Sequence, residues 1–409
     1  MTASEDRSQD AGAHEGAGVL ESRLIGIDRD RFATEYWGTR ALLTRGASDF
    51  SDVFSADAVD ELVSRRGLRS PFLRVAKDGA TLPVSSFTAG AGVGATITDQ
   101  LDDTALWRQF DEGATLVLQA LQRTWDPIGR LVTTLNEELG NPVQANAYIT
   151  PPQNQGFDDH YDVHDVFVLQ IGGTKRWVIH EPVLADPLRD QPWTDRRDSV
   201  AAAAATEPAI DAVLEPGDVL YLPRGWLHAA QAQGEVSIHV TLGIHNWTRY
   251  AVAEEIAAAV LRELREVPDV RRSLPLGQQG PSAEIVDEVK ARFAAALDGA
   301  DPGPGLHRVR RSQARPAPLG PLAQREFLED VDLVSRVRVR EGLEARFAGE
   351  RLWTRVGWLE FSAEDREIVR RIIGDGDGPV SSERFSAGDL GLELVRRLLR
   401  AGVLVPGND

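Results

Sequence analysis

Between residues 143 and 242 the chain breaks into five short runs, 143–149, 166–171, 176–179, 218–222 and 236–242, separated by clusters of Gly, Pro and Asn. Runs of this length, punctuated by residues that turn the backbone, predict strands rather than helices, and several of them in succession predict a double-sheet jelly roll or barrel. Six of the eight histidines, at 160, 164, 180, 228, 239 and 245, fall in or at the edge of this section. A barrel that collects imidazoles invites a search for a metal site.

The flanking sequence sets the frame. Residues 1–22 are polar, small and acidic without periodicity, which predicts a disordered tail with an exposed His14. Residues 28–47, with Phe32, Tyr36, Trp37, Leu42 and Leu43, predict an amphipathic helix followed by a strand. A short helix is expected at 56–66. A longer helical region is expected at 104–139, where Leu116, Leu118, Leu121, Trp125, Ile128, Leu131 and Leu135 recur at helical spacing before Gly140-Asn141-Pro142 stops it. Beyond Tyr250 helical patterns return at 252–267 and 283–297, with Pro275, Pro281 and the run 301–305 read as loop and linker. The last section, from about Leu322, mixes apolar runs at 327–334 and 352–361 with helical patterns at 364–373 and 390–399. Zero cysteines exclude disulfides, thiolate metal sites and cysteine nucleophiles. No basic-then-apolar leader opens the chain and no apolar stretch is long enough to span a bilayer, so a cytoplasmic protein without membrane contact is expected. The formal charge of -18 disfavours nucleic acid phosphates and favours a basic partner.

His160-Tyr161-Asp162 is the sharpest motif. Residues two apart on an extended strand share a face, so His160 and Asp162 can both aim inward while Tyr161 points away. His228, at the end of the stretch that begins Glu215-Pro216-Gly217-Asp218, can be brought to them by a second strand. Two imidazoles and one carboxylate on one side of a metal, with positions left open, suit a non-haem Fe(II) oxygenase. Gly172-Gly173 then turns the chain so that Lys175 or Arg176 returns toward the metal end, where a dicarboxylate would need a counter-charge. Adjacent strand residues face opposite ways, so only one of the two cations points in, and alternation alone does not choose. His164 is expected beside the ligands rather than among them, His239 lines the pocket or sits in the core, and His180, His245 and His307 are structural or exposed.

Residues 146–177, together with 217–228, resemble the JmjC-type cupin oxygenases, and among them the ribosomal oxygenases, which hydroxylate a side chain of a ribosomal protein. The resemblance implies a mainly β fold with α elements: a double-stranded β-helix of jelly-roll type, a helical dimerisation segment and a winged-helix-like C-terminal domain. On that pattern the chain divides into a tail at 1–22, a catalytic domain at 23–249, a helical segment and linker at 250–310, and a winged-helix-like domain at 311–409. It implies Fe(II) with 2-oxoglutarate as cosubstrate, the metal held by His160, Asp162 and His228. Lys175 occupies the position that binds the far carboxylate of 2-oxoglutarate, while Asn146, Tyr148 and Thr241 match pocket-lining positions.

The expected function is therefore hydroxylation of an Arg or His side chain in a basic, ribosomal protein by a homodimeric enzyme. The same chemistry on a peptide or small natural product is the alternative. A cupin isomerase with a different ligand set is a further one. A non-enzymatic regulator that places the C-terminal domain on DNA is disfavoured because no basic stripe marks a recognition helix after residue 321, so no direct nucleic acid binding is expected. Nothing suggests the aromatic cage that methyl-lysine recognition would use.

Overall fold

The computed structural model describes residues 18–407 except 78, 95, 153, 155, 156 and 375–382. The expected tail therefore lies outside the described residues up to residue 17, His14 included. Residues 18–22 differ from that expectation. A helical turn, Leu20–Ile25, buries Leu20, Leu24 and Ile25, and the Glu138 carboxylate accepts the Val19 and Leu20 amides at 2.8 Å each. An apolar triplet with its free amides capped is not a tail.

Two compact units divide between His245 and Asn246. The first is built on thirteen strands: β1 Leu42–Thr44, β2 Leu73–Lys77, β3 Ala80–Thr81, β4 Thr88–Ala89, β5 Gln100–Leu101, β6 Thr115–Leu118, β7 Val143–Thr150, β8 Asp165–Gly172, β9 Lys175–His180, β10 Ile210–Leu214, β11 Val219–Leu222, β12 Leu227–Ala232 and β13 Ser237–Ile244. Eight of them form one antiparallel sheet in the order β1-β11-β8-β13-β7-β6-β2-β3, and three form a second in the order β10-β9-β12. Residues of both sheets line one cavity, the two-sheet arrangement the strand spacing predicts.

Outside the cavity the large sheet packs on helices. Helix Asp126–Leu139 buries Ile128, Leu131, Val132 and Leu135 in the main core with Leu62, Val75, Leu118 and Ile149. The stretch expected to be a longer helical region holds the helices Asp103–Asp111 and Asp126–Leu139 and a single 3-10 turn, Leu121–Arg123, but Thr115–Leu118 within it is a strand between β2 and β7. Its four residues are buried on both faces, so Leu116 and Leu118, two apart, serve a sheet rather than a helix.

The turn between β8 and β9 is held tightly. Gly173 has φ of +58°, and a Cβ there would lie 2.1 Å from the Val236 carbonyl oxygen. The Gln170 side-chain amide donates to the carbonyls of Gly172 and Gly173 and to the Ser237 hydroxyl. The Asp218 carboxylate, buried, accepts from the amides of Glu215 and Gly46 and from Arg45, tying the turn before β11 to the end of β1.

In the second unit, helices Arg249–Leu264 and Ala283–Leu297 pack through Val260, Leu264 and Ala296. A third helix, Gly303–Gln313, occupies the stretch read as linker: Pro302 and Pro304 stand where a helix start lacks amide acceptors anyway, so they begin the helix instead of blocking it. The C-terminal part has helices Pro321–Asp330, Ala363–Ile373 and Leu392–Arg400 with two three-stranded sheets, around Val337, Leu352, Val369, Val395 and Leu398. Among the described residues no helix is long and apolar enough to cross a membrane.

Candidate metal centre

The two segments that carry the histidine motif meet through their backbones. His160 and His228 form an isolated antiparallel bridge, each amide donating to the other's carbonyl at 3.2 and 2.8 Å. Residues 160–162 do not form a longer strand, yet the side chains alternate as they would on one. Tyr161 turns away into a pocket with Val200 and Leu227 and donates its hydroxyl to the Gln191 carbonyl. The Gly225 amide donates to the Asp162 carbonyl, so the loop that leads to His228 is fastened to the motif from both sides. That loop is fixed again by the buried Asp165 carboxylate, which accepts from the Arg224 amide and from the Tyr221 hydroxyl at 2.6 Å.

His160, Asp162 and His228 offer ligand atoms that all lie within 4.8 Å of one another, with His228 Nε2 3.7 Å from an Asp162 oxygen. A carbonyl oxygen can only accept, so His160 Nδ1, 2.7 Å from the Asp158 carbonyl, and His228 Nδ1, 3.1 Å from that of Trp226, carry protons. The Nε2 atoms are left as the lone-pair donors, the orientation that metal-binding imidazoles take from their outer partners. Burial, and then the neighbouring His160, push the His228 pKa down to about 4, so the ring is neutral at pH 7. Burial acts to raise the Asp162 carboxyl, but His164, His228, His160 and Arg74 outweigh it and hold the group below the usual carboxylate range. A neutral His228 imidazole and the His160 ring, each with its Nε2 turned inward, facing an ionised carboxylate, fit a divalent cation.

The cavity beside this triad measures about 240 Å³. Alternate residues of the large sheet supply one wall: Thr115 from β6, Tyr148 from β7, Val166 and Val168 from β8, His239 and Thr241 from β13. Lys175, Trp177, His228 and Ala230 supply the other from β9 and β12. Lys175 points in, is 3% exposed, and donates to the Thr150 hydroxyl at 3.1 Å. Arg176 points out to a bidentate pair with Asp211. Hairpin register makes the choice that strand alternation leaves open. Burial pushes the Lys175 pKa down to about 7, because the described residues place no carboxylate against its ammonium.

The other expected pocket residues divide. Tyr148 stacks on His239 at 4.8 Å between centroids and both line the cavity, as does Thr241. Asn146 stands opposite Thr241 across β7 and β13, but its side-chain oxygen accepts the Ala120 amide, and it is not among the lining residues. His164 packs on His245 at 5.4 Å and is likewise outside the lining. Arg74, Thr150, Phe157 and Trp193 were not singled out by motif reasoning. Trp193 sits in the insertion between β9 and β10, 6.3 Å from the His160 ring, a position no local pattern announces.

A two-sheet barrel with two histidines and an aspartate at one end of its cavity is the architecture of the JmjC class, and residues 117–252 match the family model described as the JmjC domain. Over that stretch the chain resembles the JmjC class. It is similar to the bifunctional lysine-specific demethylase and histidyl-hydroxylase NO66 of Drosophila grimshawi, 30% identical over 267 residues, which are 64% of this chain and 35% of that protein. It is similar as well to ribosomal oxygenase 1 of Rattus norvegicus, 29% identical over 63% of this chain and 42% of that one. The chain thus spans between about a third and two fifths of the length of these relatives. Among solved structures, the Escherichia coli ribosomal oxygenase YcfD has a TM-score of 0.57 at 17% identity, covering 93% of this chain and 98% of its own. A structure of YcfD with cobalt and 2-oxoglutarate matches at the same TM-score and 18% identity, over 93% and 99%. At these identities the likeness is one of fold.

Proposed function

We propose that this chain is an Fe(II)- and 2-oxoglutarate-dependent oxygenase that hydroxylates a side chain of a protein, with a basic ribosomal protein as the substrate class. One observation carries the reading: a His-Asp-His set with its lone pairs converging, in one cavity with a buried ammonium that has no carboxylate partner among the described residues. The ligand set leaves coordination positions open, and the ammonium supplies the counter-charge for a dicarboxylate in the same cavity. Names of relatives and the cobalt and 2-oxoglutarate complex of YcfD support it.

On this reading His160, Asp162 and His228 hold the metal, and the Nδ1 bonds fix both rings before it arrives. Lys175 receives the far carboxylate, steadied by Thr150, whose hydroxyl also accepts from Thr115. His239 and Trp177 line the same cavity, and any water that their rings displace there strengthens the charge contacts inside it. Bound Fe(II) with 2-oxoglutarate supplies the oxidising chemistry, placing one atom of dioxygen in succinate and the other in the substrate hydroxyl while carbon dioxide leaves. The acidic chain favours a basic partner through long-range attraction. We infer further that the helical stretch after Tyr250, which exposes Leu261, Val289 and Leu297, is the homodimer contact.

Succinate formation that requires both Fe(II) and 2-oxoglutarate, and that falls at least 100-fold in His160→Ala, Asp162→Ala and His228→Ala, is the expected result. Iron-independent turnover, or full activity of any of the three variants, contradicts the assignment. Hydroxylation itself is read as one added oxygen on a ribosomal protein of the wild-type strain relative to a strain lacking the gene.

A further inference from the structure

The C-terminal part of the second unit carries a basic stripe on a strand rather than on a helix. Strand Arg336–Val339 is the middle strand of a three-stranded sheet, between Arg384–Ser386 and Leu404–Pro406. Val337 and Val339 are buried in the core beneath it, so Arg336, Arg338 and the following Arg340 stand on the other face. Arg384, exposed, lies directly opposite Arg338 and shares that face. Like charges set opposite one another weaken strand pairing, and the Glu341 carboxylate, 2.8 Å from Arg338, offsets one of them.

Arg340 has no such relief. Its Nε donates to the Ala317 carbonyl, and among the described residues no carboxylate lies within ion-pair distance of it. Burial alone therefore holds this guanidinium below its usual range. Arg338 and Arg340 together line a cavity of about 150 Å³, rimmed by residues 317–320 and by Val405 and Pro406, and no acidic residue is among the described lining. The rim belongs to a basic segment: residues 302–325 hold five arginines and neither Asp nor Glu, in a chain of net charge -18. That net charge is screened beyond about 8 Å at physiological salt, so at contact the local arginines decide.

The chemistry narrows the partner. A phosphate group fits a cavity of this size and accepts the paired N–H groups of a guanidinium. A stripe on a sheet face, with no helix bearing it, follows the backbone of a single strand more readily than it enters the groove of a duplex. We propose that the face formed by Arg336, Arg338 and Arg340 binds the phosphate backbone of single-stranded RNA, with one phosphate seated beside Arg340. The choice of RNA among polyanions rests on the ribosomal substrate class proposed above, since RNA is the polyanion that accompanies a ribosomal protein. The expectation of a chain without nucleic acid contact, drawn from net charge and from helices, is set aside by a stripe that lies on a strand.

The test is fluorescence anisotropy of a fluorescein-labelled oligouridylate with the full chain, without iron or 2-oxoglutarate. Neutralising about three phosphates predicts an affinity that falls about 20-fold between about 50 and 200 mM KCl. Arg336→Glu with Arg340→Glu should weaken binding at least tenfold, while Arg336→Lys with Arg340→Lys stays within threefold of the wild type. Arg336→Gln with Arg340→Gln, which adds no repulsion, should leave about a third of the salt slope. Arg271→Glu with Arg272→Glu makes the same change of net charge at exposed positions outside the stripe and should stay within twofold. Circular dichroism melting checks that each variant is folded. Poly-glutamate and duplex DNA should compete at least tenfold less well than unlabelled oligouridylate. No binding at low salt, equal losses in the stripe and control variants, or equal or better competition by poly-glutamate or duplex DNA overturns the proposal. Any of these results leaves the oxygenase reading standing, because that reading is decided by succinate formation in a separate assay.

Discussion

Lys175 is held in a place that opposes its own charge, and replacing it separates stability from binding. Its pKa is displaced from 10.5 to about 7 by burial, and at about 1.36 kcal/mol per pH unit that corresponds to about 5 kcal/mol between the charged and neutral forms. The folded pKa lies below the unfolded one, so between pH 7 and 10.5 the unfolded chain binds more protons than the folded chain. Stability of the ligand-free wild type therefore rises with pH across that window and is lowest below pH 7. Lys175→Met keeps the length of the side chain and removes the charge, at the loss of one hydrogen bond to Thr150 worth about 1 kcal/mol. The variant is expected to be more stable than the wild type by about 3 kcal/mol at pH 7, with the advantage gone near pH 10.5. Urea denaturation at pH 7 and 9.5, followed by hydrogen exchange of the Lys175–His180 strand, reports this unit alone. The same variant loses 2-oxoglutarate affinity by at least 100-fold, read as the disappearance of the thermal shift that 2-oxoglutarate with Mn(II) gives the wild type. A variant that is less stable than the wild type at pH 7, or that keeps the wild-type pH slope, refutes the argument that Lys175 is an uncompensated buried cation.

Three further outcomes follow from the same cavity and its hairpin. Binding of a carboxylate needs the Lys175 ammonium, so the KM for 2-oxoglutarate should be flat below pH 7 and climb by up to tenfold per pH unit above it, until the pKa of the complex is passed; Lys175→Arg, charged throughout, should flatten the climb. Arg176→Ala removes an outward pair with Asp211 and should leave that KM within twofold, measured by succinate release. Gly173→Ala places a Cβ against the Val236 carbonyl at a positive φ, and should cost on the order of 3 kcal/mol, seen as a lowered melting temperature by circular dichroism.

The barrel was legible because its strands are short, apolar and bounded by turn formers, and the triad because a two-residue spacing is informative wherever side chains alternate. Other parts resist such reading for identifiable reasons. Residues 115–118 fit a helical pattern through Leu116, Leu121, Trp125 and Ile128 because the period of a helix and that of a strand overlap in so short a run; only pairing with β2 and β7 decides. The strand Ile210–Leu214 was missed, since five residues with a charge at the second position carry little signal until β9 is beside them. Lys175 and Arg176 are neighbours of like charge, and which one enters depends on a hairpin register fixed by Gln170 and Ser237, far along the chain. Arg74 lies 86 residues before His160, and nothing near it in sequence hints that three strand pairings bring it to the same cavity.

The paired backbones of His160 and His228 have a chemical corollary. A seat whose ligands are already clasped by peptide hydrogen bonds demands little rearrangement from whichever ion enters, and so does little to choose among divalent ions of similar size. Nickel, copper and zinc, which bind nitrogen donors more tightly than ferrous iron does, would then compete for the same place. Occupancy by iron would be governed by the metal supply around the protein as much as by the residues that grip it.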